Sequence, residues 1–442
     1  MTDHFLTGSI ERPGPKSQAC YAEVDAHTGG LSAQARLFPV AFESGSGVYL
    51  YDVDGNRYLD FSSGIYVASL GHCHPVVSAA VADAAHLLMN CHDFPTPLRA
   101  AAQLRLAEIA PGDLTLVQFY DSGTTAVEAA LRVARVATGR RTFIGFENGF
   151  HGKTLGSSSL GTPDPWKGIR ADGFVRVPGP YPYRPPPGAD AEAVSDTVLG
   201  EVRRVMEASS DGVAAVLIEP VQGWGGSIIP PNDFLPRLKQ LCSDNGTMLI
   251  ADEVLTCFGR TGRMFAVNHW DVEPDVITLG KGLGNGFPVS AIMARSDLRE
   301  AMNNASASTS YGGNPMACAA VLASMSVIES EGLCERSASL GARMLEELRA
   351  MQERHPIIGE VRGLGFLLGI ELVKDRTTKT PATEAGTFVY QEAFRRGLAW
   401  IPAGHILRLA PPLVITEEEA FRGLNIIEQA ITEAERRPEL MS

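Results

Sequence analysis

Apolar and polar positions alternate along residues 48–61 around Asp54-Gly55, and this pattern with this turn predicts an antiparallel hairpin. From about residue 75 to residue 295 the pattern changes to helical stretches interleaved with short β-branched or aromatic runs, at 115–120, 142–146, 213–219, 247–252, 276–279 and 289–294. Alternation of strand and helix predicts a mostly parallel sheet covered on both faces, with its ligand crevice at the carboxyl ends of the strands. Beyond Pro315 the periodicity is helical to about residue 354, then strand at 357–372, helix at 382–396 and strand at 398–409. A last amphipathic helix starts near Thr416, which forms a capping box with Glu419. This tail reads as a second, smaller α+β unit. The proline-rich stretch 178–189 predicts a surface loop, and no internal repeat is visible.

Composition narrows the picture. A chain of 442 residues, 45% hydrophobic, can bury one large core and carry a second domain. Its net charge of −13 argues against a nucleic-acid partner, which needs a concentrated basic surface. Residues 1–18 are polar, without the apolar core of a secretory signal, and apolar runs such as 213–218 fall far short of the roughly 20 residues that span a bilayer. A cytoplasmic protein with no membrane partner is expected. The seven cysteines follow no disulfide or metal framework. His72-Cys73-His74 and Cys91-His92 lack the gaps that separate metal ligands, so no metal is expected, and the first triplet reads as a turn into a helix opened by Pro75.

Three segments carry chemistry. The apolar run 276–279 leads into Gly280-Lys281-Gly282. A lysine buried at a strand end loses basicity and can attack a carbonyl, although one that snorkels to solvent would leave the same pattern. The run 248–251 delivers Asp252, whose carboxylate could hold a heterocyclic nitrogen protonated or simply cap the next turn. Asp121-Ser122-Gly123-Thr124 precedes a helical stretch, where free N–H groups cradle a phosphate or serve an ordinary N-cap.

With Phe150-His151-Gly152 these segments resemble the class III aminotransferases, fold-type-I pyridoxal-phosphate enzymes. The resemblance covers nearly the whole chain. It is carried by Gly71-His72-Cys73-His74-Pro75, Ser122-Gly123-Thr124, Phe150-His151-Gly152, Glu219-Pro220-Val221-Gln222-Gly223, Asp252-Glu253-Val254, Gly259-Arg260-Thr261-Gly262, Lys281-Gly282 and Gly313-Asn314-Pro315, in family order. It implies an α/β fold: a mostly parallel, seven-stranded large domain at 76–325 and a smaller α+β domain built from both termini, 1–75 and 326–442. It implies the cofactor pyridoxal 5′-phosphate, with Lys281 as its covalent anchor and Asp252 on the pyridine nitrogen. Ser122, Gly123 and Thr124 would hold the phosphate, Phe150 and Val254 would flank the ring, and His151 and Glu219 complete the cofactor contacts. Ser310, before Tyr311, would reach the phosphate of a partner subunit in a homodimer with shared sites.

The implied reaction is ping-pong transfer of an amino group between an amine or amino acid and a carbonyl acceptor. Epimerisation, racemisation or decarboxylation on the same scaffold is the rival. Two positions depart from the family. A glutamine that commonly follows Asp-Glu-Val is Leu255, and the glutamate of Gln-Gly-Glu-Gly-Gly is Trp224, while its arginine partner is retained as Arg408. Trp224 offers a flat face for a ring or a sugar, or fills space. Ile65 and Tyr66 fall at the substrate entrance, and with Trp224 they suggest an amino-sugar substrate of the aminoglycoside type. Joint retention of Lys281, Asp252 and the phosphate segment argues against a non-catalytic binding protein. Gly363-Leu364-Gly365 lacks the helix and acid of a nicotinamide site.

Overall fold

The computed structural model describes residues 12–162, 165–305 and 308–440. The polar N-terminal stretch expected at 1–18 is therefore described only from Arg12 onward.

Apolar runs of four to six residues become the strands of the central sheet, each buried along its length except for the edge strand Phe174–Val177 and single half-buried positions elsewhere. Among the described residues this sheet has seven strands, ordered Leu116–Tyr120, Ser290–Ala294, Val276–Leu279, Met248–Asp252, Val213–Ile218, Thr142–Phe146 and Phe174–Val177. Ser290–Ala294 runs against both neighbours and the others share one direction. Phe174–Val177 was not expected: Arg176 interrupts its short apolar pattern. Helices such as Gly123–Thr138, with Ala126, Val127, Ala130 and Val133 buried, and Val194–Ala208 cover the sheet.

Local signals translate directly. Tyr49–Asp52 and Arg57–Asp60 pair antiparallel across the predicted turn, Pro75 opens the helix Pro75–Leu87, and Thr416 and Glu419 cap the helix Glu417–Glu435 reciprocally. The hairpin belongs to a four-stranded sheet whose last member, Leu398–Ala399, pairs parallel to Arg57–Asp60, so distant segments close one sheet.

Several boundaries differ. The helix expected over 315–354 is two, Pro315–Ser330 and Leu333–Arg354, broken at Gly332, whose φ of 59° lies in the left-handed region. The strand at 357–372 is a hairpin of Ile358–Leu364 and Leu367–Asp375 that turns at Gly365. The strand at 398–409 is three, Leu398–Ala399, Ile401–Ala403 and Ile406–Leu409. The loop 178–189 is not a free surface excursion, because Tyr181 is buried and both Tyr181 and Arg184 bond Glu371. No single described helix is long and apolar enough to cross a membrane.

Candidate active site

The sheet delivers its polar residues at strand ends, beside one another. Met248–Asp252 ends in Asp252, Val276–Leu279 leads through Gly280 to Lys281, and Val213–Ile218 leads to Glu219. Leu116–Tyr120 leads to the N-terminus of the helix Gly123–Thr138, capped by Ser122. Two joined spaces open there. One of about 300 Å³ is lined by Ser122, Gly123, Thr124, His151, Gly152 and their neighbours. The other, about 550 Å³, is lined by Ile65, Tyr66, Glu219, Trp224, Leu255 and others, and Phe150, Lys153, Asp252, Val254 and Lys281 border both.

Asp252 is buried and accepts three hydrogen bonds, from His151 Nδ1 at 2.6 Å, Thr278 Oγ1 at 2.8 Å and the Val254 N–H at 3.1 Å. Burial pushes its carboxyl upward, but the bond and charge of His151, with the other two donors, outweigh this and hold it below the usual carboxylate range. Lys281 is also shifted downward, which for a cation weakens the charged form. Burial lowers its pKa, and the charges of Asp252 and Glu219 only partly oppose that. Its Nζ lies 5.9 Å from the centre of the Tyr66 ring. Glu219 accepts from the N–H groups of Phe150 at 2.8 Å and Gly223 at 2.9 Å, and burial raises its pKa to about 7. Glu253, next to Asp252, turns away and bonds Thr256 and the N–H groups of Ala266 and Val267.

At the helix N-terminus the first N–H groups lack intrahelical partners and the dipole favours an anion. A Cβ on Gly123 would stand 2.8 Å from Val254 Cγ1, so only glycine lets the chain approach here. Thr124 Oγ1 bonds Ser157 Oγ at 2.9 Å.

The substrate wall is strained. Ser63, Gly64, Ile65 and Tyr66 have φ of 48°, 57°, 66° and 65°, a left-handed helical turn that costs roughly 1–2 kcal/mol per non-glycine residue. Its neighbours hold it: Asp60 Oδ1 accepts from Ser62 Oγ and both serine N–H groups, Ser63 Oγ donates to the Ala410 carbonyl at 2.6 Å, and Arg260 donates to Ser63 Oγ at 3.3 Å. The turn leaves Ile65 42% exposed and Tyr66 2% exposed. Trp224 packs its ring 5.2 Å from that of Phe150, and Arg408, fully buried, lays its guanidinium 4.3 Å from the indole centre. The indole, expected either to offer a flat face or to fill space, thus packs against Arg408 and Phe150 while still lining the larger space. Ser310 is exposed, its carbonyl accepting from Asn90, and it does not line either space.

Sequence reasoning missed Thr278, Lys153 and the wall contributed by Ser32, Gln34 and Leu37. Thr278 is the one polar residue in an apolar strand, a signal that was there to read. Residues 32–37 carry none.

A buried amine of lowered pKa and an ionised acid on one cavity, beside a helix N-terminus, suit an aldehyde-bearing heterocyclic phosphate. The model of the class-III aminotransferases matches residues 31–431. The chain belongs to that family. Acetylornithine aminotransferase of Methanopyrus kandleri is 39% identical over 396 residues, 89% of this chain and 95% of that one. Isoleucine 2-epimerase of Lentilactobacillus buchneri is 37% identical, covering 91% and 92%. The structure of a PLP-bound amine transaminase from an uncultivated Pseudomonas species superposes with a TM-score of 0.86 at 32% identity, covering 92% of this chain and 98% of that one. The protein is a transaminase of this class and its cofactor is pyridoxal 5′-phosphate.

Proposed function

We propose that the enzyme transfers amino groups by a ping-pong cycle between a primary amine and a carbonyl acceptor, with Lys281 and Asp252 as the working pair. The observation that supports this most is that the two border one cavity, with the charge of the carboxylate favoured and that of the ammonium disfavoured. Bound there, pyridoxal phosphate supplies a carbonyl to receive the amino group and an electron sink for the adjacent carbon. Lys281 acts as nucleophile and carries the proton at the substrate carbon, for which its lowered pKa suits it. Asp252, oriented by His151, keeps a proton on the ring nitrogen. Ser122, Gly123 and Thr124 hold the phosphate, and Phe150 and Val254 flank the ring.

The second space favours a primary amine on an apolar frame, since Leu37, Ile65, Tyr66 and Leu255 form much of its wall. Its 550 Å³ would admit an amino sugar, but its wall is mostly apolar and offers few groups to pair with hydroxyls. Epimerisation is the second reading, suggested by the isoleucine 2-epimerase resemblance. The cycle is proposed to run in a homodimer, in the cytoplasm, between a large domain of residues 76–325 and a small one of 1–75 and 326–442. Its test is Lys281→Ala: the visible band that the lysine-linked cofactor gives before amine is added disappears and turnover falls about 10²–10⁴-fold. Retention of both would overturn the reading, and inversion of an amino acid without any acceptor would establish the second.

A further inference from the structure

Trp224 stands at the tip of a short loop whose base is closed by reciprocal backbone bonds between Gln222 and Ile228, each 3.0 Å long. The tip rests on the sheet that contains Ile358–Leu364, Leu367–Asp375 and Ile406–Leu409. There Arg362, Gly369 and Arg408 stand opposite one another in register on the three strands, so their side-chain positions share one face of that sheet. The two arginines address two carbonyls of the tip: Arg362 Nε donates to that of Gly226 at 2.8 Å and Arg408 Nη1 to that of Trp224 at 3.5 Å. Gly369 lies between them, and a Cβ there would meet the Gly226 carbonyl oxygen at 2.6 Å. A Cβ on Gly226 would in turn meet Ile406 Cγ2 at 2.7 Å. Glycine on both sides lets loop and sheet touch backbone to backbone.

The arginine with the firmer bond is itself held in place. Arg362 is buried, its Nη1 donates to Glu371 at 2.9 Å and also to Glu360, and its guanidinium lies 4.9 Å from the centre of the Tyr181 ring. Glu371, fully buried, also accepts from Tyr181 and Arg184 on the proline-rich loop 178–189. With its charge met through Nη1, Arg362 keeps Nε for the tip, and the planar fork fixes the direction of that bond. Arg362, Gly369 and Glu371 line neither space at the candidate site, whereas Trp224 lines the larger one.

Resting on the amino-transfer reading, we propose that Arg362 and Gly369 are positioning residues for selectivity, setting how far Trp224 projects into the 550 Å³ space and so how large an amine it admits. The sheet face acts as a stop: the glycine lets the tip lie close and the guanidinium holds it there. Added volume at position 369 drives the indole toward the cavity, and loss of the Arg362 Nε bond lets it yield to a large substrate. Neither change reaches Lys281, Asp252 or the helix N-terminus at Gly123, so KM moves while kcat and cofactor affinity stay.

The test uses the holoenzyme with Gly369→Ala, Arg362→Lys and Glu360→Gln, retention of the visible cofactor band serving as the folding control. KM and kcat are measured for a bulky amine, 1-phenylethylamine, and a slim one, butan-2-amine, together with the Kd of pyridoxal phosphate. Gly369→Ala is expected to raise the ratio of bulky to slim KM about tenfold, with kcat for the slim amine and the cofactor Kd unchanged. Arg362→Lys, whose one nitrogen cannot serve Glu371 and the Gly226 carbonyl together, lowers the ratio about threefold and tests the same contact without added volume. Glu360→Gln leaves the ratio alone, because the bond to Gly226 is kept. In a Trp224→Ala background Gly369→Ala changes the ratio no further, since the group it displaces is gone. A ratio within about twofold of the parent in both Gly369→Ala and Arg362→Lys refutes the positioning role, as does an equal shift with and without the indole, or a loss of kcat and cofactor affinity alongside KM. A parent enzyme whose cofactor band responds to no amine would instead refute the amino-transfer reading, whatever the variants do.

Discussion

Asp252 and Glu219 sit at the ends of neighbouring strands, both buried, yet burial prevails at Glu219 and the hydrogen-bond donors prevail at Asp252, so their pKa values part. Asp252 has an imidazole, a hydroxyl and an N–H to stabilise its charge, whereas Glu219 has two N–H groups and feels the negative charge of Asp252. A folded pKa of about 7 against an ordinary 4.5 means that the folded state binds the proton more tightly. Stability from this group is therefore fully present below pH 4.5 and is lost as pH rises through about 7. Glu219→Gln is expected to recover on the order of 3 kcal/mol above that window, by the ~1.36 kcal/mol attached to each pKa unit. Thermal unfolding at matched pH values checks this: its melting temperature should fall less than the parent's between pH 5 and 8, Glu253 retaining its own share of the slope. The strand-end positions of Lys281 and Asp252 were legible from the apolar runs before them, while the roles assigned to them came from the family resemblance. The His151–Asp252 bond and the covering of Arg408 by Trp224 were not legible, since they join residues 101 and 184 positions apart.

Elements place these side chains through close backbone approach, and the cup at the start of the helix Gly123–Thr138 depends on it most. Gly123→Ala would drive a methyl into Val254, the residue proposed to flank the cofactor ring. We expect cofactor affinity to fall at least about tenfold, a loss of roughly 1.4 kcal/mol, with little change in thermal stability of the cofactor-free protein. Absorbance titration of that form with pyridoxal phosphate measures it. Elements with local signatures were readable: the Asp54-Gly55 hairpin, the Pro75 helix start and the Thr416 capping box each follow from a few adjacent residues. The hairpin at 358–375 was not separable from one long strand, because its turn lies within an apolar run. The left-handed turn at 63–66 was likewise invisible, since Ile65 and Tyr66 are residue types that avoid it and only distant partners impose it.

Across the whole molecule, exposed apolar groups collect near one seam. Leu87 is 83% exposed, Phe94 75%, Tyr311 64% and Met89 61%, and the Asn90–Ser310 hydrogen bond joins the two segments that carry them. A contiguous apolar patch on a folded chain marks an interface. Phe94→Glu is expected to convert the proposed homodimer to monomer and to loosen the cofactor, because Ser310 would no longer reach a partner's phosphate cup. Light scattering coupled to size exclusion, with cofactor content, checks both. No pattern along the chain could show that 87–94 and 311 lie side by side.

The strand Leu398–Ala399 completes the sheet begun by the hairpin, and the Ala410 carbonyl and N–H tie down Ser63 and Phe61. The residues that line the smaller space all fall between positions 122 and 281, whereas the substrate wall at 61–66 is braced only once the far end of the chain has come back to it, so a change near residue 410 would reach selectivity before it reached cofactor binding.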